Sequence, residues 1–318
     1  MKNILITGAL GQIGSELALR MRGIYGTNNV VISDIKKEGP AEVVDAGPFE
    51  IIDVTDGKKI HEVVKKYDID HIVHLAALLS AVGESKPNLT WDVNMGGLYN
   101  CLEVCKETGA TLFTPSSIAA FGPSTPPDQT PQDTIQRPTT MYGVTKVAGE
   151  LLCDYYYKRF GVESRGVRYP GLVSYKTLPG GGTTDYAVHI YYDALKQGKY
   201  ASFIAEGTQM DMMYMPDALD AIIQLSEADG SKLIHRNAFN ITAMSFAPED
   251  IAKEIKKHIP SFEMSYDVDP VRQAIANSWP NSLDDSAARA EWGWNPKYDL
   301  SSMTKDMLDK LAIKLNIK

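Results

Sequence analysis

Short runs of β-branched residues alternate with longer stretches of helical periodicity through the first half of the chain. Lys2 to Ile6 reads as a strand and Gln12 to Arg22 as a helix. Val30 to Ser33 is a second strand, Ile51 to Asp53 a third, and Gly57 to Tyr67 an amphipathic helix. His71 to Leu75 (HIVHL) is a fourth strand, Asp92 to Thr108 a long helix, and Thr111 to Thr114 a fifth strand. Met141 to Phe160 is another long helix and Glu163 to Arg168 a sixth strand. Strands separated by helices in this way predict a parallel sheet. Right-handed crossovers put helices on both of its faces, which is the doubly wound α/β class of the Rossmann type.

The rhythm breaks after Tyr169. A Pro-Gly-Gly-Gly run within 174 to 185 reads as a loop rather than another crossover. A helix from Asp185 to Gln197 follows, then a Met-rich stretch from 203 to 215. Pro216 to Glu227 looks like a helix opened by proline at its first turn. Ala238 to Ile241 is a short strand, and Pro248 to His258 and the tail from Ser301 are helices. No internal repeat and no low-complexity segment stands out. These patterns predict a first domain over 1–172, to which the chain returns around 216–242, and a smaller, interleaved α+β substrate-binding domain over 173–318.

Bulk properties narrow the function. A chain of 318 residues exceeds what one small core needs. The net charge of −8 leaves no basic surplus to pair with phosphates, so neither nucleic acid nor an anionic membrane is an expected partner. No run of eighteen apolar residues occurs, and the first residues read as a strand rather than an export signal. A cytoplasmic location is the expectation. The three cysteines are Cys101, Cys105 and Cys153, an odd and sparse set that makes no disulfide framework. Cys101 and Cys105 would share a helix face, either as part of a metal site or, with more weight, as buried thiols in a reducing compartment. The six histidines are scattered, and no metal is expected.

Candidate chemistry begins at the first strand-to-helix junction, Thr7-Gly8-Ala9-Leu10-Gly11-Gln12-Ile13-Gly14. Glycines let the backbone turn tightly and let a pyrophosphate approach the helix N-terminus, where open N–H groups and the dipole favour an anion. The spacing is G-x-x-G-x-x-G; the alternative is an ordinary tight turn. Asp34 ends the second strand, twenty residues after Gly14. A carboxylate there accepts from ribose hydroxyls and repels a 2′-phosphate, which predicts NAD over NADP; otherwise Asp34 is a turn residue. Asp53 and Val54 close the third strand and are candidates for the adenine. Leu75, Ala76 and Ala77 offer small residues where backbone must pass close to a cofactor.

A second constellation lies downstream. Tyr142 and Lys146 are four apart at the start of a long helix, so phenol and ammonium can converge. A free tyrosine titrates near pH ~10; a nearby positive charge favours its phenolate, which can then take the proton of an alcohol as hydride leaves. Ser116 and Ser117 leave the fifth strand at its C-terminal end, where α/β sheets place ligands. One of these hydroxyls can orient the substrate oxygen, or both are plain turn serines. In the second domain, Gly180-Gly181-Gly182-Thr183-Thr184-Asp185-Tyr186-Ala187 can cap the following helix, and Thr183 or Thr184 with the open N–H groups would suit one carboxylate. The alternative is an N-cap with no ligand.

The order G-x-x-G-x-x-G, Asp-Val, L-A-A, Asn94, the serine pair and Y-x-x-x-K resembles the extended short-chain dehydrogenase/reductase family, which includes UDP-galactose epimerase. The likeness covers essentially the whole chain. It implies NAD bound by Gly8, Gly11, Gln12, Ile13, Gly14, Asp34, Asp53, Val54, Leu75, Ala76, Ala77, Asn94, Tyr142, Lys146 and Tyr169. Counting back from Phe121-Gly122 puts the catalytic hydroxyl on Ser117, with Ser116 a neighbour that touches substrate. Sugar-nucleotide members usually carry an arginine where this chain has Met210, and methionine cannot grip a diphosphate. Tyr169-Pro170-Gly171-Leu172-Val173-Ser174, the G-G-G-T-T-D-Y-A run, Trp279-Pro280 and Leu283-Asp284-Asp285-Ser286 instead resemble the members that oxidise the β-hydroxyl of L-threonine to 2-amino-3-ketobutyrate. That resemblance implies L-threonine surrounded by Ser80, Ser116, Tyr142, Thr183, Thr184 and Trp279, with Trp279 either closing over the site or packing in the core. It also implies a homodimer built on helices 92–108 and 141–160. The alternative is an NAD-dependent nucleotide-sugar epimerase or dehydratase.

Overall fold

The structure is a computed structural model that describes residues 1–177, 180 and 182–317. The chain divides into two compact units, Met1–Ala120 with Thr140–Arg168 and Leu219–Phe239, and Phe121–Thr139 with Tyr169–Ala218 and Asn240–Lys318.

The first half of the chain runs β1 (Ile4–Thr7), α1 (Gln12–Tyr25), β2 (Val30–Asp34), α2 (Ala41–Val44), β3 (Phe49–Ile51), α3 (Gly57–Lys66), β4 (His71–His74), α4 (Ser80–Ser85) and α5 (Pro87–Trp91). It continues through α6 (Gly97–Thr108), β5 (Thr111–Phe113), β6 (Ser116–Ser117), α7 (Met141–Phe160), β7 (Ser164–Arg165) and β8 (Val167–Tyr169). Six strands form one sheet in the order β3-β2-β1-β4-β5-β7, with every pairing parallel. The order reverses beside β1, so the C-terminal ends of β1 and β4 flank the crevice where such sheets bind ligands. The sheet forms because β1, β2 and β4 are buried along their whole length, with adjacent apolar residues that point to both faces. Leu5, Val31, Ile72, Leu98, Leu102 and Cys101 belong to one apolar cluster of this unit.

Two expected elements are divided. The helix foreseen over 92–108 starts earlier, as α5, and passes through a π-turn at Asp92–Gly96 before α6. Consecutive glycines at 96 and 97 weaken regular helix there, and the amide of Asn94 bonds Leu78 instead of facing solvent. The strand foreseen over 163–168 is interrupted at Gly166: β7 pairs with β5, whereas β8 lies between β6 and the short strand Phe239–Asn240. The third strand ends at Ile51, earlier than expected, so Asp53 lies beyond it. The thiols of Cys101, Cys105 and Cys153 are free and buried, and burial pushes Cys153 up to about 12.

The later elements are β9 (Gly171–Val173), α8 (Tyr186–Gln197), β10 (Lys199–Ser202), β11 (Met210–Tyr214), α9 (Met215–Glu227) and β12 (Phe239–Asn240). Then come β13 (Met244–Phe246), α10 (Pro248–His258), β14 (Glu263–Tyr266), α11 (Pro270–Ala276), α12 (Ser286–Trp292) and α13 (Leu300–Lys314). In the second unit β13-β11-β9 form a small sheet, and Met210, Met212, Tyr214, Tyr186 and Tyr191 share a core with α10 and α13. Buried Asp211 accepts from the Thr242 hydroxyl and from Leu283 N at 2.8 Å; desolvation pushes its carboxyl up to about 8. The segment 121–139, expected to lie with the first domain, joins the second unit: Thr130 bridges Leu283, and Asn240 N donates to Gln132 Oε1 at 2.7 Å. No helix among the described residues is long and apolar enough to cross a membrane.

Candidate active site

The glycine loop fits a dinucleotide because its backbone packs too closely for side chains. Gly8 has φ +66°, and a Cβ there would lie 2.6 Å from Ala76 N. A Cβ at Gly14 would lie 2.5 Å from Gly8 O. The loop thus folds onto the start of α1 and onto the strand-end residues Leu75 and Ala76. Gly11 is the N-cap of α1 and has no side chain to close it. The first amides of the helix, at Gln12, Ile13 and Gly14, are therefore left for an anion such as a pyrophosphate.

Asp34 ends β2 beside this loop. Its Oδ2 accepts from Leu10 N at 3.0 Å and its Oδ1 from Lys36 N at 3.0 Å. These bonds aim the carboxylate and tie it to the loop that would carry the pyrophosphate. The Oδ1 of Asp53 accepts from Thr55 N and Oγ1, closing a turn, while Val54 is buried against Gly97. Asn94 is buried. Its amide accepts from Leu78 N at 2.8 Å and donates to Leu78 O at 3.1 Å and Thr145 Oγ1 at 3.2 Å. It thereby clamps the 75–79 loop to α7.

Helix α7 begins where Thr140 Oγ1 accepts from Gly143 N at 3.1 Å and Glu84 Oε1 accepts from Met141 N at 2.7 Å. A hydroxyl N-cap followed by a carboxylate at the first turn favours helix at this point. The cap fixes the start of the helix, and therefore the direction of Tyr142 and Lys146. The Lys146 ammonium lies 5.2 Å from the centre of the Tyr142 ring, close enough to stabilise negative charge on the phenol. Its Nζ also donates to Pro115 O at 2.8 Å, which ties α7 to the strand end carrying both serines. Thr140 was readable as a hydroxyl just before a helical pattern; Glu84, far off in sequence, was not.

The two serines part ways. Ser117 is half-buried, and its Oγ accepts from Ala119 N at 3.2 Å. Ser116 is buried, and its hydroxyl donates to Glu150. Ser116, expected to touch substrate, has its hydroxyl on Glu150, and Ser117 faces the other way because successive strand residues do. A cavity of ≈ 40 Å³ lies behind Lys146, walled by His74, Asn94, Ser116, Lys146, Glu150 and Cys153 among others. Burial first, and the Lys146 charge second, push His74 down to about 3, so it is neutral; its Nδ1 sits 2.9 Å from Thr7 Oγ1. Ser80 is the buried first residue of α4.

The remaining candidates belong to the second unit. Thr183 is buried and Thr184 half-buried, in a 3₁₀ turn that leads into α8. The sequence suggested that Thr183 or Thr184 caps the following helix; α8 has no side-chain cap, and the Asp185 carboxylate instead accepts from Gly182 N at the head of the 3₁₀ turn. Gly181 of the glycine run lies outside the described residues. Trp279 is half-buried just past α11, its backbone N–H donating to Ala276 O at 3.1 Å. The Tyr169 phenol is buried and donates to Ala218 O at 2.5 Å.

Residues 4–241 match the sequence profile of the NAD dependent epimerase/dehydratase family. The chain belongs to that family. Its members' cofactor is the one for which the glycine loop and Asp34 are shaped. An uncharacterised epimerase/dehydratase of Staphylococcus saprophyticus is 60% identical over 311 residues, covering 98% of this chain and 97% of that protein. Among solved structures, L-threonine dehydrogenase from Clostridium difficile is 64% identical with TM-score 0.97, covering 99% of this chain and 98% of that one. A GalE-like L-threonine dehydrogenase from Cupriavidus necator, in its holo form, is 49% identical with TM-score 0.94, covering 97% and 99%. The protein is thus an NAD-dependent enzyme of the epimerase/dehydratase family with a Rossmann sheet.

Proposed function

We propose that this enzyme oxidises the β-hydroxyl of L-threonine to 2-amino-3-ketobutyrate with hydride transfer to NAD. The observation that carries the reading is the 64% identity to the Clostridium difficile L-threonine dehydrogenase across nearly the full length of both chains. Fold alone does not imply function, so the reading also leans on the Tyr142–Lys146 pair, which suits alcohol oxidation.

In this proposal Gly8, Gly11, Gln12, Ile13 and Gly14 hold the pyrophosphate and Asp34 the adenosine ribose. Bound NAD supplies the hydride acceptor. Tyr142 removes the hydroxyl proton as the β-carbon gives up its hydride. Lys146 steadies the anionic phenol, and Ser117 donates to the substrate oxygen and orients it. Thr183 and Thr184 are assigned to the amino acid's carboxylate, and Ser80 and Trp279 to its surroundings. Ser116 is withdrawn from the substrate set because its hydroxyl is committed to Glu150.

The enzyme is proposed to be a homodimer. Val144, Leu151 and Tyr155 form an exposed apolar stripe along α7, and Tyr99 is exposed on α6. Three free thiols suit a reducing cytoplasm.

The test is NADH formation from NAD with L-threonine, D-threonine and L-allo-threonine, beside thermal-shift screening of UDP-sugars. Turnover of L-threonine supports the proposal. Stabilisation by UDP-sugars with no threonine turnover would favour the nucleotide-sugar alternative, although buried Met210 offers no guanidinium to a diphosphate.

A further inference from the structure

Glu150 stands one turn beyond Lys146 and two beyond Tyr142, so the three share a face of α7. Its carboxylate and the Arg168 guanidinium on β8 are each only 7% exposed. Arg168 Nη2 reaches Glu150 Oε2 at 2.8 Å and Nε reaches Oε1 at 3.1 Å, a two-pronged contact that fixes the plane of the carboxylate. The Ser116 hydroxyl donates to the same carboxylate. Strand β6, which carries Ser116, is the sheet neighbour of β8, which carries Arg168.

Stability alone is a poor reason for this arrangement. A buried ion pair often contributes no more than well-packed apolar residues of the same volume. What the pair adds is direction. Ser116 and Ser117 are successive strand residues, so holding the first against Glu150 points the second to the opposite face. One residue before them, Pro115 O accepts from Lys146 Nζ. Two neighbouring residues of the strand end are therefore tied to two successive turns of α7, the helix that also carries Tyr142.

We infer that Glu150, held by Arg168, is a positioning residue: through Ser116 it sets the Ser117 hydroxyl relative to the Tyr142 phenol. The inference rests on the roles of Tyr142, Lys146 and Ser117 proposed above. Glu150 touches neither substrate nor cofactor in this account, and its effect passes through geometry. A misplacement of about 1 Å at a reacting centre can cost up to roughly 100-fold in rate.

The experiment compares Ser116→Ala with Ser116→Thr. The alanine variant removes the strand's link to Glu150 and leaves the buried ion pair whole; the threonine variant restores a hydroxyl. For each, kcat and KM for L-threonine at saturating NAD, the Kd of NAD, the melting temperature and a crystal structure are measured. Expected for Ser116→Ala is a kcat lowered roughly 10- to 100-fold, with KM, NAD affinity and melting temperature near those of the parent, and with Ser117 Oγ displaced. Ser116→Thr should recover most of the lost kcat. A Ser116→Ala enzyme with the parent's kcat, or with Ser117 in its original place, overturns the inference. So does a loss shared equally by kcat, NAD binding and melting temperature, which would mark a merely structural bond. If the parent enzyme makes no NADH from L-threonine, the substrate proposal fails while the position of Ser117 in the variant crystals still decides this inference.

Discussion

Gly8→Ala puts the cofactor cradle under the sharpest strain. The native residue sits at φ +66°, and its new methyl group would lie 2.6 Å from Ala76 N, 2.7 Å from Ala76 Cα and 2.8 Å from Leu75 C. All three are backbone atoms, so no side chain can rotate aside. An L-residue in the left-handed region costs about 1–2 kcal/mol. Overpacking of one methyl into rigid surroundings adds roughly 1–3 kcal/mol. The strain is relieved only if the 75–77 loop moves off β1, and NAD binding then has to restore it. At about 1.4 kcal/mol per tenfold, the low end of the combined cost is roughly a 30-fold weaker NAD affinity. Whatever part falls on folding should appear as a lower melting temperature, by about 2 °C for each kcal/mol in a chain of this size. Gly23→Ala is the control, because a Cβ there meets nothing within 4 Å inside α1. It should raise stability by roughly 0.5–1 kcal/mol and leave NAD binding alone. Fluorescence titration with NAD and thermal melts measure both. A Gly8→Ala protein with the parent's Kd and melting temperature would mean that a methyl group fits at this turn after all.

Asp34→Ala should weaken NAD binding roughly 10- to 100-fold, from the loss of charge-assisted bonds worth about 1.5–3 kcal/mol, while NADP binding holds or improves; an unchanged NAD-to-NADP ratio would remove Asp34 from the ribose. His74, held down to about 3, refuses the proton that the unfolded chain takes up near ~6.5, so it costs stability as pH falls below that point, by about 2 kcal/mol at pH 5 relative to pH 7. Asp211, raised to about 8, has the opposite slope over the same window, so the quantity to read from denaturant titrations is the difference between parent and His74→Gln. That difference should shrink by about 2 kcal/mol between pH 7 and pH 5; parallel pH dependences would contradict the assignment. Leu151→Glu should convert a species of roughly twice 35.0 kDa into the single chain by light scattering, and a parent that is already monomeric would end the dimer proposal.

How far the sequence reached depends on how local each signal was. The parallel, doubly wound sheet was legible because short apolar runs alternate with helical patterns, and handedness then leaves few ways to wind the chain. The closeness of Tyr142 and Lys146 was legible because a helix enforces it at four residues. The bond of Ser116 to Glu150, and that of Glu150 to Arg168, were not legible because these residues are distant in sequence and joined only by folding. The capping role of Asp185 was missed because two threonines beside it are equally good caps by type. The membership of 121–139 in the second unit rests on pairings with residues 240 and 283, which no local pattern announces.

The central claim is that the Tyr142 phenol takes the alcohol proton. The most direct measurement is kcat for NADH formation from L-threonine by Tyr142→Phe at saturating NAD, with NAD affinity and melting temperature measured on the same sample. Expected is a folded, NAD-binding protein whose kcat is lower by about 100-fold or more, the scale of a lost general base. A Tyr142→Phe enzyme that turns over L-threonine at the parent's rate would contradict it.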